Sequence, residues 1–287
     1  MPTSVEASTA GLSGVPWFLL GTHHPGWLAT AGVPLFVSDR RLRGYRRLPR
    51  AAAPWALDSG GFTELATHGS WEHGPTPAQY VARVRRYVRE VGRLVWAAPQ
   101  DWMCEPFILA NTGRTVAEHQ ARTVANYQHL RALGPDLPFV PVLQGWAVSD
   151  YLRCARMYEH AGVDLTALPL VALGSVCRRQ ATSEAEAIIT ELRGVGITRL
   201  HGFGVKTLGL ARYGHLLVSA DSMAWSVAAR RSPPLPGCTR HRNCANCPRY
   251  ALVWRQRLVT ELRRGESRSE QLPLFTAIDA DTDRNAG

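Results

Sequence analysis

Eight short apolar runs separated by amphipathic stretches constrain this sequence more than any other feature. They fall at residues 17–20, 35–38, 55–57, 94–97, 139–143, 170–173, 200–203 and 216–219. Parallel strands need a crossover between them, usually a helix, so this alternation predicts an α/β fold with a parallel sheet. Eight units suit a closed (β/α)8 barrel. The intervening stretches carry helical periodicity: Val81, Val84, Val88 and Val91 fall on one face, as do Val116, Val124, Tyr127 and Leu130 more loosely. Ser149 is expected to cap a helix starting at Asp150, and Gly194 and Gly214 to end two others.

A barrel of this kind gathers its chemistry where the strands end at their carboxyl side. Polar and glycine residues recur at those places: Asp58 before Ser59-Gly60-Gly61, Asp101, Gln144-Gly145, Gly174-Ser175, Gly202 and Gly204, and Asp221. Two acids at strand ends suit covalent and proton-transfer chemistry. Asp221 can attack a sugar anomeric carbon and expel a base, with Asp58 protonating the leaving base and deprotonating the incoming one. Two such displacements retain the anomeric configuration. Asp101 is then an acceptor for the N–H groups of a purine edge, Gln144 a donor to its carbonyl, and Gly174 a point of close approach. Ser59 and Gly60 belong to the same expected base pocket.

After Arg231 the texture changes. Cys238, His241, Cys244 and Cys247 follow a C-x2-H-x2-C-x2-C spacing, a compact set suited to tetrahedral, structural Zn2+. His241 is the open position of the four, with His215 as the alternative ligand. The expected organisation is a flexible stretch at 1–14, a catalytic barrel at 15–231, and a zinc-binding segment with a basic helix packed on the barrel at 232–264. A disordered tail is expected at 265–287.

The formal charge of +10 comes almost wholly from arginine, Lys206 being the only lysine. Arginine's planar fork suits phosphates and base edges, so a polyanionic partner is expected. Arg40, Arg41, Arg43, Arg46, Arg47 and Arg50 crowd just ahead of the Asp58 run, with Tyr45 among them, and are candidate phosphate contacts together with Lys206. His23 and His24 after the first run are candidate pocket residues, and Trp71, Trp102, Trp146 and Trp225 are candidate base-stacking groups. No apolar run approaches the ~20 residues of a membrane span, and the expected location is cytoplasmic.

Taken in order, Asp58-Ser-Gly-Gly-Phe62, Gln100-Asp101, Val142-Leu-Gln-Gly145, Ala172-Leu-Gly-Ser175, Gly202-Phe-Gly-Val205, Ser219-Ala-Asp221 and the cysteine cluster resemble the tRNA-guanine transglycosylase superfamily. That resemblance implies a (β/α)8 barrel with inserted zinc and exchange of guanine for a 7-deazaguanine. It also implies Asp221 as nucleophile, Asp58 as general acid/base, and Asp101, Gln144 and Gly174 in the base pocket. Asp221 is followed by Ser222-Met223-Ala224-Trp225 where the tRNA enzymes carry a proline-threonine-arginine element, and His241 sits inside the cysteine cluster. These departures point to the DNA-modifying branch, the deoxypurine-in-DNA protein A type, which inserts 7-cyano-7-deazaguanine (preQ0). Exchange on tRNA or a free nucleotide, and a non-catalytic zinc-containing nucleic-acid-binding protein, are the alternatives. Gln271, Leu272, Leu274 and Phe275 resemble a peptide that docks on the sliding clamp, and a helper ATPase is a further candidate partner.

Overall fold

A computed structural model describes residues 15–179 and 182–265. The expected stretch at 1–14 and the Gln271–Phe275 peptide lie outside the described residues.

The chain forms eight parallel strands with interleaved helices: β1 Trp17–Thr22, β2 Leu35–Ser38, β3 Trp55–Asp58, β4 Leu94–Ala97, β5 Val142–Leu143, β6 Val171–Leu173, β7 Leu200–Gly202 and β8 Ser219–Ser222. The pairing runs β4-β3-β2-β1-β8-β7-β6-β5, so the first and last strands lie side by side. A parallel bridge between Ala97 and Phe139, just ahead of β5, joins the two ends of the sheet and closes the ring. The predicted (β/α)8 barrel is what forms.

Alternation along each strand divides the apolar residues into two layers. Leu19, Ala56, Trp96, Val142 and Ala172 fill the barrel with Phe36 and Phe203, while residues such as Phe18, Leu20, Trp55 and Leu57 pack outward against the helices. The same parity carries Asp58, two residues past Ala56, to the inner face.

The helices start where local chemistry satisfies their free amides. Thr76 and Thr115 each form a reciprocal capping box, with Gln79 and Glu118, at the helices Pro77–Glu90 and Val116–Leu133. Two expectations change. The helix after β5 starts at Val148, and the Asp150 carboxylate, not Ser149, accepts the N–H groups of Trp146 and Ala147. Val88 is 42% exposed while Val81, Val84 and Val91 are buried, because the helix buries a narrower stripe than four valines would cover.

The largest correction falls at the last strand. Gly214–Leu216 is a 3-10 turn, and β8 comprises Ser219–Ser222, so Asp221 lies inside the strand and not beyond its end. Parallel pairing with β1 sets this register, Ser219 opposite Trp17 and Asp221 opposite Leu19. Hydrophobicity marks where the chain is buried, whereas backbone hydrogen bonding decides where the strand runs.

Beyond the barrel, the cysteine cluster leads into a helix at Pro248–Gly265. Trp254 packs on Phe18, with ring centroids 6.0 Å apart, and Arg255 donates to the Phe18 carbonyl at 3.1 Å, which seats this helix on β1. None of the described helices is long and apolar enough to cross a membrane.

Candidate active site

A cavity of about 420 Å³ opens at the carboxyl ends of the strands, and all eight strands or the loops leaving them contribute to its wall. Asp58, Asp101, Glu105 and Asp221 bring four carboxyl groups to this one space, between the aromatic side chains of Phe36, Phe62 and Phe203. Like charges this concentrated cannot all ionise freely.

Asp221 is held from two sides. Its Oδ1 accepts the Gly204 backbone N–H at 3.0 Å and faces His201 Nε2 at 3.3 Å. His201 is fully buried, its Nδ1 lies 2.9 Å from Ser219 Oγ, and Trp96, Phe36 and Phe203 pack around its ring. A carboxylate only accepts, so Nε2 carries the hydrogen of the contact with Asp221. Among the described residues both of these contacts fall on Oδ1, and none is made to Oδ2 of Asp221.

Asp58 ends β3 opposite Ser38 of β2. Burial raises its carboxyl above the ordinary range; the Gly60 N–H and Ser38 oppose that shift, and the Asp221 and Asp39 charges add to it. The next two glycines serve different ends. Gly60 has φ of +86° and its missing side chain makes room for the stem of Arg40, whereas a Cβ on Gly61 would press on Trp71 and on Asp101 Oδ1.

Asp101 is pushed up to about 7, chiefly by burial, with Gln144 pulling it down and Asp58 pushing it further up. Gln144 Nε2 donates to Asp101 Oδ2 at 2.5 Å. The Gln144 amide crosses directly over Gly174, where any Cβ would collide with it. Gly174 has no free backbone group to offer, since its N–H donates to the Leu143 carbonyl and its own carbonyl accepts from Tyr151. Its contribution is space.

The remaining expected site residues are distributed as follows. Asp58, Asp101, Gln144, Gly174 and Asp221 share the cavity wall, while Ser59 and Gly60 lie behind it, with Gly61 taking their place. Ser59 Oγ is buried without a hydrogen-bond partner among the described residues. His23 lines the cavity, and burial, with Arg41 and Arg230 nearby, lowers its pKa. His24 instead stacks on Trp27 and lies 3.3 Å from Asn246 Oδ1. All four singled-out tryptophans stay off the wall: Trp225 is core, Trp71 donates to the Asp101 carbonyl, Trp102 packs on His119, and Trp146 lies under Arg179.

In the arginine segment, Arg40 and Arg43 pair with the buried Glu64, and Arg86 fastens the loop by donating to the carbonyls of Tyr45 and Arg46. Arg41, Arg46 and Arg47 remain exposed. Lys206 precedes the helix Thr207–Tyr213 and does not reach the cavity. Sequence reasoning missed His201, the Gly204 amide and Glu105. Strand parity could have flagged His201, two residues before the Phe203-Gly204 turn and inward like Asp58.

Cys238, His241, Cys244 and Cys247 converge so that their ligand atoms all lie within 4.8 Å of one another, and His215 is not among them. Cys238 and Cys247 sulfurs are 3.9 Å apart and His241 Nε2 is 3.2 Å from the Cys244 sulfur. A tetrahedron with zinc–sulfur bonds of about 2.3 Å has edges of about 3.8 Å, so this donor set fits the ion. The cluster is tied to the barrel by Ser226 Oγ donating to the Ala245 carbonyl at 2.9 Å and by the contact between Asn246 and His24.

These features define a (β/α)8-barrel protein with a polyacidic pocket at the carboxyl ends of its strands and a four-ligand cysteine–histidine cluster beside it. The sequence model of the DpdA family, DeoxyPurine in DNA protein A, matches residues 16–286, and the chain belongs to that family. No curated protein matches the chain significantly.

Proposed function

We propose that the protein exchanges guanine in DNA for a 7-deazaguanine, preQ0 being the incoming base, through a covalent glycosyl ester on Asp221. The observation that carries this reading is the division between two acids in one pocket: Asp221 with Oδ1 bound and no partner for Oδ2 among the described residues, Asp58 with its carboxyl biased toward the protonated form.

In the first displacement Oδ2 of Asp221 attacks C1′, the C1′–N9 bond breaks, and the Asp58 proton passes to the departing guanine. In the second, Asp58 takes the N9 proton of the incoming base, N9 attacks C1′, and the Asp221 carboxylate is released. Anomeric configuration is retained. Asp101 accepts from the N–H groups of the base edge, and the second amide hydrogen of Gln144 is available to its carbonyl. A duplex target requires the nucleotide to be flipped out at a cost of about a few kcal/mol. Arg41, exposed and near His23 at the cavity, can meet the backbone, with Arg46 and Arg47 further along the loop. Zn2+ held by Cys238, His241, Cys244 and Cys247 is structural, because four protein ligands leave no open position.

Release of labelled guanine tests the reading. Release from DNA by the wild type, and not from tRNA, is expected; release from tRNA alone would move the substrate, and release from neither would end the proposal.

Asp101 must be ionised to accept from two N–H groups. Its carboxyl titrates at about 7, so guanine affinity is expected to weaken as pH falls below about 7, approaching about tenfold per pH unit. Calorimetry across that range checks this, and Asp101→Asn should remove the dependence. His201→Phe should fit the aromatic surroundings yet free Asp221 Oδ1 on one side. The expected result is a fall of about 10- to 100-fold in exchange rate with KM for DNA unchanged, from the loss of one hydrogen bond to a charged group. A parallel rise in KM would assign His201 to binding instead.

A further inference from the structure

Four side chains form one hydrogen-bonded chain along the pocket wall. It runs from Asp101 Oδ2 to Gln144 Nε2 (2.5 Å), from Gln144 Oε1 to Ser175 Oγ (2.7 Å), and from Ser175 Oγ to Glu105 Oε2 (2.9 Å). Ser175 Oγ also accepts the Cys104 backbone N–H at 2.8 Å. All four residues are buried. Ser175 has φ of 55°, a left-handed conformation that a residue with a side chain keeps only where its surroundings impose it.

Counting protons decides the state of this chain. Ser175 makes two oxygen–oxygen contacts of hydrogen-bond length, to Glu105 and to Gln144, but a hydroxyl carries one hydrogen and an amide oxygen none. An ionised Glu105 would leave one of those contacts bare. A neutral Glu105 fills both, since it donates to Ser175 while Ser175 donates to Gln144. The hydroxyl's one donor and two acceptor positions are then all used.

We propose that Glu105 is a specificity-determining residue of the base pocket: as a neutral acid it orients the Ser175 hydroxyl, which holds the Gln144 amide with its oxygen turned away from the base. The proposal rests on the base-exchange reading and extends it. In this orientation the wall offers an acceptor on Asp101 beside a donor on Gln144. That pair matches the N–H and carbonyl of a guanine edge, and opposes the ring-nitrogen acceptor and amino donor of adenine. Were the amide to turn over, it would offer an acceptor beside an acceptor and match neither. Ionising Glu105 draws the Ser175 hydrogen back to the carboxylate and leaves Gln144 Oε1 without its donor.

The groups facing Glu105 are Arg178 and Arg179, which favour its charged form, and Asp101, Cys104, Cys177 and Tyr151, which lie close enough to feel its charge. Burial raises the carboxyl, outweighing its own backbone N–H, the Ser175 side chain and the two arginines, all of which favour the charged form.

The test compares the full-length wild type with Glu105→Gln and Glu105→Ala, each shown to be folded by its melting curve. Glu105→Gln keeps an N–H that can donate to Ser175. It is expected to bind free guanine as the wild type does and to prefer it over adenine. Glu105→Ala is expected to lose about 10- to 100-fold in guanine affinity and most of the preference. Infrared difference spectra of the free proteins should show a protonated-carboxyl band in the wild type that is missing from Glu105→Gln. Unchanged guanine affinity and preference in folded Glu105→Ala, equal impairment of both variants, or no such band would overturn the proposal. A wild type that releases no guanine from DNA defeats the exchange reading instead, and the infrared band still judges Glu105 on its own.

Discussion

Replacing Asp221 with Asn is expected to lower guanine exchange by about 10^4-fold or more, the scale on which removal of an enzymic nucleophile acts. Asn is nearly isosteric, and its side-chain oxygen can still accept from Gly204 and His201, which hold Oδ1 in the native site. Melting temperature and DNA affinity should therefore stay close to wild type while the chemistry disappears. The decisive measurement is a denaturing gel of protein incubated with DNA and no incoming base. Wild type should leave a protein–DNA adduct of the glycosyl ester, and Asp221→Asn should leave none. An adduct that survives the substitution would remove Asp221 as nucleophile and move the covalent role to another pocket acid, Asp58 first.

Removing the metal is expected to have the largest effect on structure. Structural zinc contributes on the order of 10–16 kcal/mol of apparent binding energy in small sites, more than the whole stability of many domains, about 5–15 kcal/mol. Here Cys244 and Cys247 are buried against Ala229 and Tyr250, so without the ion these two buried thiols are left with little else to bond. The helix Pro248–Gly265 begins at the residue after Cys247. Chelation or Cys247→Ala should release this helix from Phe18 and free Asn246 from His24, next to the cavity-lining His23. One zinc per chain by elemental analysis, a large drop in melting temperature on chelation, and recovery on adding zinc are the expected results. A chelated protein shown to be metal-free that melts where the native one does would end the structural role.

How far the site could be read in advance depended on the kind of interaction that builds it. Asp58 could be read because a carboxyl group placed straight after an apolar run has few places to go in a barrel other than its carboxyl-end face, and Asp101 because it falls in the short loop leaving the next such run. The cysteine cluster could be read because its ligands lie within ten residues, so that spacing alone brings them together. Trp225 shows the opposite case. Its position after the last strand suited base stacking, yet its indole N–H reaches the Gly21 carbonyl and the ring is core. No local pattern distinguishes an aromatic ring facing a ligand from one facing its own protein.

The sequence by itself determined the eight-fold alternation, the placement of Asp58 at the carboxyl end of a strand, and the thiolates Cys238, Cys244 and Cys247 of the local donor set, with His241 left open. All of these follow from short-range spacing. Only the tertiary structure decided that Asp221 lies within β8, that His201 and the Gly204 amide hold its Oδ1, and that Glu105 reaches Gln144 through Ser175, some 70 positions along the chain. The physical reason is that strand register is settled by hydrogen bonding between distant strands, and a buried polar chain is settled by which groups remain unpaired once the barrel has closed. Neither is a property of any window of sequence.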